Sequence, residues 1–294
     1  MSPPQATLIG CGAIGLWALL AVLTVATGEI PPFQLAAMTF AIGGGAGAVS
    51  LALRPGSARA LRQGPLVWLV GVGGLFGYHA LYFAALRLAP PAEAGLIAYL
   101  WPLLIVLFSA VLPDEKLRAG QIVGTLLGLM GVIVLVTGRG GDLALETKFV
   151  PGYLLALGCA FVWSGYSVLS RRLGKVPTDA VAGFCLATSL LALICHLAFE
   201  RSVWPAGAGQ WLAVLALGLG PVGLAFYLWD IGVKKGDLRF LGVASYASPP
   251  LSTLILVLAG FAQAGWSLAV AACLIVGGAF LAGWAGRAGH ERAK

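Results

Sequence analysis

Residues 6–27 read ATLIGCGAIGLWALLAVLTVAT, a continuous apolar stretch that contains no charged residue. About 20 such residues in an α-helix, rising about 1.5 Å each, cross the roughly 30 Å hydrocarbon core of a bilayer. Comparable stretches follow along the whole chain. The sequence therefore predicts ten membrane-spanning helices, at 6–27, 32–53, 65–88, 92–112, 119–137, 151–172, 178–198, 208–232, 239–260 and 266–286.

The composition supports a membrane protein. Apolar residues make up 60% of the chain and charged residues 10%, whereas a soluble domain has roughly 45–50% and 25%. The segments between the apolar stretches are too short for a separate soluble domain. We predict an all-α membrane protein whose function depends on what it places between its helices.

The distribution of basic residues predicts the orientation. If both termini lie in the cytoplasm, only four of the 18 Lys and Arg residues fall in outer connections, namely Arg87, Arg139, Lys148 and Arg201. The positive-inside rule then favours an N-in/C-in topology. The net charge of +7 reflects this topology and the attraction to anionic lipid, so no nucleic-acid partner is predicted.

The two halves of the chain resemble each other at a nearly constant separation. Trp17 matches Trp163, Tyr82 matches Tyr227, and Tyr99-x-x-Pro102 matches Tyr246-x-x-Pro249. This pattern predicts two five-helix repeats, at 6–137 and 151–286. Because five is odd, the second copy is inverted in the membrane, an arrangement that secondary transporters use around a site near the midplane.

Prolines occur inside the fourth and ninth predicted helices. Pro102 and Pro249 occupy matching repeat positions, and Pro250 follows directly. A proline in a helix removes one backbone hydrogen bond and clashes with the preceding turn. Paired interruptions of this kind indicate a binding site between the repeats. The alternative is a tolerated kink that only tilts the two helices.

Several motifs resemble a known family. Leu88-Ala89-Pro90, Tyr99-Leu100-Trp101-Pro102, Asp114-Glu115-Lys116-Leu117 and Gly124-x-x-x-Gly128-x-x-Gly131-Val132 are similar to an EamA half-domain of the drug/metabolite transporter superfamily. The second half is less similar, since Gly260-Phe261-Ala262-Gln263 replaces the family's frequent Gly-Glu. The whole layout resembles YddG-type aromatic amino acid exporters. The resemblance implies ten helices and the export of amino acids or similar amphiphiles.

Aromatic and hydroxyl side chains deep in the predicted helices are the candidates for substrate binding. Aromatic rings can stack on an aromatic side chain and attract its ammonium group, and hydroxyls and imidazole can meet its polar groups. For any one of these residues, plain helix packing is the alternative. The candidates are Trp17, Tyr78, His79, Tyr82, Tyr99, Trp101, Trp163, Ser164, Tyr166, Ser245 and Tyr246.

Charged residues are almost absent from the middle of the predicted helices. Glu93 and Asp230 fall near helix ends, and only His79 titrates near neutral pH from well inside one. A coupling ion usually needs a carboxylate, so we expect transport down the substrate gradient. We weigh three functions: an exporter of amino acids by alternating access, an exporter of cationic drugs or metabolites, and an intramembrane enzyme.

The enzyme is the least favoured of the three, because the sequence contains no HExxH, GxSxG or GxxxxGK[ST] motif. We predict no cofactor and no metal. The expected partners are a small-molecule substrate and membrane lipid, with the protein a monomer or weak homo-oligomer. Small residues spaced by four, at Gly120, Gly124 and Gly128 and again at Gly278 and Ala282, predict close packing of the fifth and tenth helices.

Overall fold

A computed structural model describes residues 1–112, 117–138, 146–261, 263 and 265–291, with side chains left out for 286–291. The predicted features at 114–116, Arg139, Ala262, Arg292 and Lys294 lie outside these residues. Ten helices in the described part are long and apolar enough to cross a membrane. They are α1 Pro3–Ala26, α2 Pro32–Ala52, α3 Pro65–Leu88, α4 Pro91–Val111, α5 Ala119–Thr137, α6 Thr147–Arg172, α7 Thr178–Phe199, α8 Ala208–Lys235, α9 Leu238–Leu258 and α10 Trp266–Ala285.

These bounds confirm the predicted all-α membrane fold, and the helix ends differ from the prediction by only a few residues. The helical conformation of α10 continues to Glu291. One short 3₁₀ helix, Ser57–Leu61, lies in the connection between α2 and α3. The described residues contain no strand.

Contacts between helix ends define two surfaces of the bundle. The backbone N–H of Asp237 donates to the Thr7 hydroxyl at 2.8 Å, and Arg118 donates to the carbonyl of Ala285 at 2.8 Å. These bonds bring the start of α1, the α8–α9 connection, the start of α5 and the end of α10 to one end. We call this end the terminal surface, because both chain termini lead to it, and the other end the opposite surface.

The principal helix contacts join the two halves of the chain. The main pairs are α1–α8, α2–α7, α3–α6 and α5–α10, and α4 packs against α6 and α9. If each helix is replaced by its counterpart in the other half, α1 by α6, α2 by α7 and so on, the same four main pairs result. At the α5–α10 interface a Cβ on Gly124 would collide with the carbonyl oxygen of Gly278. The predicted close packing of these two helices is confirmed.

Several helices are interrupted. In α4 the helix ends at Ala98 and restarts at Trp101, so Pro102 lies in a first turn, where its missing N–H is tolerated. In α9 a 3₁₀ turn at Ser245–Ala247 separates Leu238–Ala244 from Ser248–Leu258, whose first turn holds Pro249 and Pro250.

The interruption of α8 was not predicted. Its segments Ala208–Leu219 and Ala225–Lys235 are joined by a π-helical turn at Gly220–Leu224. Pro221 lies in this turn. Such wide turns insert a residue into the helix and rotate the segment that follows. The turn therefore decides which side chains of the second segment face the centre of the bundle. A smaller break at Leu19 divides α1 into Pro3–Ala18 and Leu20–Ala26.

Candidate functional site

Four tryptophans from four helices meet inside the bundle. Trp17 of α1 lies 5.6 Å from Trp163 of α6 and 5.1 Å from Trp229 of α8, between ring centroids. Trp101 of α4 lies 5.9 Å from Trp229. We call these four residues the tryptophan cluster. Each half of the chain contributes two of them, so the cluster spans the junction between the halves.

Two of the indole N–H groups have identified acceptors. Trp17 Nε1 donates to the carbonyl of Pro221 at 3.1 Å, an acceptor in the π turn of α8. Trp229 Nε1 donates to the Ser167 hydroxyl at 3.1 Å, and that hydroxyl donates to the carbonyl of Trp163 at 2.9 Å. These bonds fix the orientation of two rings, since a buried indole without an acceptor is unfavourable.

A second layer of rings from α3 covers the cluster. Tyr78 lies 5.4 Å from Trp163 and stacks with Tyr82 at 6.0 Å. His79 contacts Phe40 edge-on, with ring centroids 5.0 Å apart. Its Nδ1–H donates to the carbonyl of Leu75 at 2.7 Å. Nε2 of the same ring is then free to accept a hydrogen bond from a ligand.

Burial differs sharply along the axis of the bundle. Trp101, Trp163 and Trp229 are 6%, 4% and 0% exposed. The ring-bearing residues that lie nearer the opposite surface are half-buried, namely Tyr78, His79, Tyr82 and Tyr99. Tyr78 and His79 thus keep part of their surface accessible while they contact other interior rings. Towards the terminal surface, Leu75, Ile105 and Leu241 are fully buried.

Other predicted site residues have their polar groups engaged within their own helix. The Ser164 hydroxyl donates to the carbonyl of Ala160 at 2.7 Å, and the Ser245 hydroxyl donates to that of Leu241 at 2.7 Å. Both serines are fully buried. In this structure their hydroxyls are therefore used by the helix backbone.

Two predicted tyrosines are buried by packing. Tyr166 contacts Trp163 with the ring planes tilted by 38° and the centroids 5.2 Å apart, and it is 3% exposed. Tyr246 is fully buried against Gly128 of α5, away from the tryptophan cluster. Neither hydroxyl has a hydrogen-bond partner in the described part of the chain. Tyr166 belongs to the wall of the candidate site, whereas Tyr246 belongs to the α5–α9 contact.

The prediction missed three rings of this site: Phe40, Phe226 and Trp229. Phe226 lies 5.8 Å from Trp163 and stacks on Phe40 at 5.5 Å. Trp229 carries no sequence signal of an interior position, because it falls close to the end of the eighth apolar stretch. The Gly220-Pro221 pair was the available signal, since it indicates the broken helix that turns Phe226 and Trp229 inwards.

A buried ion pair lies near the terminal surface. Lys234 Nζ is 2.8 Å from Asp230 Oδ1, and the two side chains are 4% and 2% exposed. The Thr178 hydroxyl donates to Asp230 at 2.6 Å, and Lys234 also donates to the carbonyl of Val176 at 2.9 Å. Arg171 donates to the carbonyl of Gly236 at 2.6 Å. These bonds join α6, α7 and α8 on the side where Leu75, Ile105 and Leu241 are fully buried.

A different polar network lies at the opposite surface. The Glu200 carboxylate accepts from the backbone N–H groups of Phe33 and Gln34, both at 3.1 Å, at the start of α2. It is also paired with Arg87 at 3.3 Å and with His196 at 3.0 Å. A carboxylate at a helix N-terminus is favourable because the helix dipole is positive there. Glu200 thus ties the end of α7 to α2 and α3.

Glu93, the other buried carboxylate of this side, accepts from the hydroxyl of Tyr153 and joins α4 to α6. Among the described residues no group of three or more His, Cys, Asp or Glu side chains has the arrangement of a metal site. What the centre offers instead is a set of aromatic faces and one imidazole acceptor. That surface suits a ligand with an aromatic body and few charges.

The family model for the EamA-like transporter family matches residues 5–137 and 150–284. The aromatic amino acid exporter YddG of Ancylobacter novellus is 59% identical over 96% of this chain and 98% of that protein. The Escherichia coli protein of the same name is 26% identical over 98% of this chain and all of that protein. The biotin transporter of Escherichia coli is 25% identical over 72% of this chain and 71% of that protein.

A solved crystal structure has the same fold. Its sequence is 59% identical, the TM-score is 0.92, and the match covers 96% of this chain and 97% of that one. The ten apolar helices and these similarities together identify a multi-pass membrane protein.

Proposed function

The chain belongs to the EamA-like transporter family, and from this premise we propose that it exports aromatic amino acids across a bacterial inner membrane. The substrate binds at the tryptophan cluster, between two inverted repeats at 6–137 and 151–286, with both termini in the cytoplasm. The relatives named as aromatic amino acid exporters support the substrate class.

The tryptophan cluster with its half-buried cover of Tyr78 and His79 is the observation that carries this proposal. Aromatic pairs gain about 0.5–1.5 kcal/mol beyond simple burial, so these faces favour an aromatic side chain over an aliphatic one. The same faces attract an ammonium group. His79 Nε2 is a further acceptor for that ammonium. The carbonyl of Ala98 is another, because Pro102 has no N–H to donate to it.

The proposed transport cycle is alternating access between the two halves. The half-buried rings towards the opposite surface and the buried residues towards the terminal surface support a state open on one side only. The exchange symmetry of the helix pairs supports a reciprocal state, reached by rocking one half against the other. We propose that the opposite surface is the outer one.

The observed charges favour an amino acid over a cationic drug. An exporter of cations usually presents an unpaired carboxylate near its binding site. Within the described residues, Asp230 is paired with Lys234, and Glu93 is bonded to Tyr153. Neither carboxylate is free to act as the counter-ion. We also propose that the protein is solely a transporter, with no enzymatic activity.

Flux of radiolabelled phenylalanine in proteoliposomes tests this function. Trp101→Ala should lower the flux at least tenfold per folded protein, because it removes a wall of the cluster. Trp204→Ala is the matched control, since Trp204 is 65% exposed and lies outside the cluster. Normal flux in Trp101→Ala would show that the tryptophan cluster is not part of the transport pathway.

A substrate screen in the same vesicles separates the alternatives. Labelled phenylalanine, a cationic dye and biotin should be compared with and without a pH gradient. Selective phenylalanine flux without a gradient supports a facilitator of aromatic amino acids. Transport of the dye alone would support the cationic-drug alternative instead. His79→Ala should leave part of the downhill flux; loss of gradient-driven flux alone would show that transport is proton-coupled.

A further inference from the structure

A cavity of about 330 Å³ lies between α2 and α8, outside the tryptophan cluster. It occupies the other side of α8: Phe226 and Trp229 face the cluster, whereas Gly223, Leu224 and Tyr227 line the cavity. Its volume is at the lower end of the roughly 300–1,000 Å³ range of small-molecule sites. Along α2 the lining extends from Gly43 to Arg54, and so from mid-helix to the terminal surface.

A pair of opposite charges stands at the mouth of this cavity. Arg54 Nη2 lies 2.9 Å from Asp179 Oδ1, and the two side chains are 52% and 33% exposed. The Arg54 Nε–H also donates to the carbonyl of Ser50 at 3.1 Å. A guanidinium has five N–H donors and a carboxylate several acceptor positions, so both groups retain capacity for a ligand. The mouth therefore offers a cation and an anion side by side.

The cavity is a groove with mainly apolar walls that opens on the outer face of the bundle, where Leu224 is 50% exposed. At its inner end Gly43 and Gly223 bring the backbones of α2 and α8 into contact, since a Cβ on Gly43 would lie 2.6 Å from the Cα of Gly223. Tyr227 forms the wall, with its hydroxyl packed against Gly47 so closely that a Cβ there would overlap it. That hydroxyl has no hydrogen-bond partner among the described residues. An aromatic ring in this groove can pack against Leu219 and Leu224 and meet the Tyr227 ring.

We propose that this cavity is a second binding site for a free zwitterionic amino acid with an aromatic side chain. Arg54 binds its carboxylate, Asp179 binds its ammonium, and the ring enters between α2 and α8. The assignment rests on the substrate class proposed above. It makes the cavity an entry site on the side where the tryptophan cluster is closed, so substrate is held there before the central site opens.

The charge arrangement favours an amino acid over a lipid. An anionic lipid head group would be attracted by Arg54 but repelled by Asp179. A phosphatidylethanolamine head group also carries both charges, but it brings no aromatic ring to meet Tyr227, and the test below compares it directly with phenylalanine. A free aromatic amino acid brings both charges on neighbouring atoms together with a single compact ring.

The rate of thiol alkylation at Ser50→Cys, measured by peptide mass spectrometry on purified full-length protein in detergent, tests the assignment. Ser50 lines the cavity beside Arg54, whereas Val49 is 60% exposed on another face. Saturating L-phenylalanine should slow alkylation at Ser50→Cys at least tenfold and leave Val49→Cys unchanged. Phenethylamine and phenylpropionate, which carry one charge each, should protect less.

Charge variants extend the same measurement. Adding Arg54→Gln or Asp179→Asn to Ser50→Cys should abolish protection by phenylalanine, whereas Arg59→Gln, an exposed cation outside the cavity, should retain it. Protection by phosphatidylethanolamine but not by phenylalanine would overturn the assignment in favour of lipid. Absent protection with intact phenylalanine flux would overturn this site alone, and absence of both would overturn the proposed function as well.

Discussion

The two ends of the bundle are closed in different ways. Towards the terminal surface, fully buried side chains such as Leu75 and Ile105 lie above a buried ion pair, Asp230–Lys234. Towards the opposite surface, Glu200 ties three helices together, yet Tyr82 beside the central rings remains half-buried. At the first end the centre of the bundle is packed with buried side chains, whereas at the other end the identified bonds join helix ends around the central rings.

Polar bonds at the helix ends and packing in the centre therefore have separate roles. The Glu200 bonds hold helix ends together without filling the space between them. The Asp230–Lys234 pair lies within a packed region, where removing one charge leaves the other uncompensated. Four changes test how far the two ends differ, beginning with the largest expected effect.

Asp230→Asn should have the largest effect on stability. Breaking a buried pair by removing one partner typically lowers the free energy of unfolding by about 3–5 kcal/mol, because a buried charge is left unpaired. Unfolding of the purified protein in detergent by heat or denaturant measures this. The double variant Asp230→Asn/Lys234→Met should recover most of the loss. If the single variant unfolds like the parent protein, the pair does not stabilise this end.

Thiol accessibility compares the two ends directly on one helix. Tyr82→Cys should react with a charged, membrane-impermeant maleimide about 100-fold faster than Leu75→Cys, because reaching a buried position requires local opening by about 3 kcal/mol. Labelling is measured per site by peptide mass spectrometry, since the chain has native free cysteines. Equal rates at both positions would mean that the opposite end is as closed as the terminal one.

Glu200→Gln should have an intermediate effect. The neutral amide cannot accept from Phe33, Gln34 and His196 at once, and hydrogen bonds to charged groups are worth about 1.5–3 kcal/mol. We expect the free energy of unfolding in detergent to fall by about 2 kcal/mol. Arg201→Gln, at the exposed neighbouring residue, is the matched control and should change little. A loss as large as that of Asp230→Asn would show that both ends are equally integral to the fold.

Asp179→Asn should have the smallest effect on stability, at most about 1 kcal/mol, because partly exposed ion pairs contribute little. Its partner Arg54 is 52% exposed. The same unfolding measurement applies, and Asp230→Asn serves as the buried counterpart. A large loss of stability would mean that the pair at the cavity mouth fastens α7 to α2, beyond any role in binding.

The sequence predicted the helices well because their signal is simple. Long uncharged stretches such as residues 6–27 have few alternatives to a membrane helix, and charged or Pro/Gly-rich breaks mark their ends. The aromatic candidates Tyr78, Tyr82, Trp101 and Trp163 are predicted from their depth within the apolar stretches. Their meeting at one place follows from helix pairing, which an apolar sequence does not encode in any readable pattern.

The missed and misjudged residues have physical reasons. Phe226 and Trp229 face inwards because the π turn at Gly220–Leu224 rotates the helix segment that carries them. Asp230 is predicted to lie near a helix end, yet Asp230 and its partner Lys234 are both buried. Ser164 and Ser245 were proposed to meet a substrate, yet serine in a helix readily bonds to its own preceding turn.

The glycine contact between α5 and α10 has a mechanical consequence. The carbonyl of Gly278 occupies the space that a Cβ on Gly124 would need, so the backbones of the two helices are in direct contact there. Apart from each other, the described parts of these two helices principally touch α4 and α9, the helices that contain Pro102 and Pro249. The α5–α10 pair is thus a tightly packed unit beside two interrupted helices. A movement at the centre of the bundle reaches this pair through the breaks in α4 and α9.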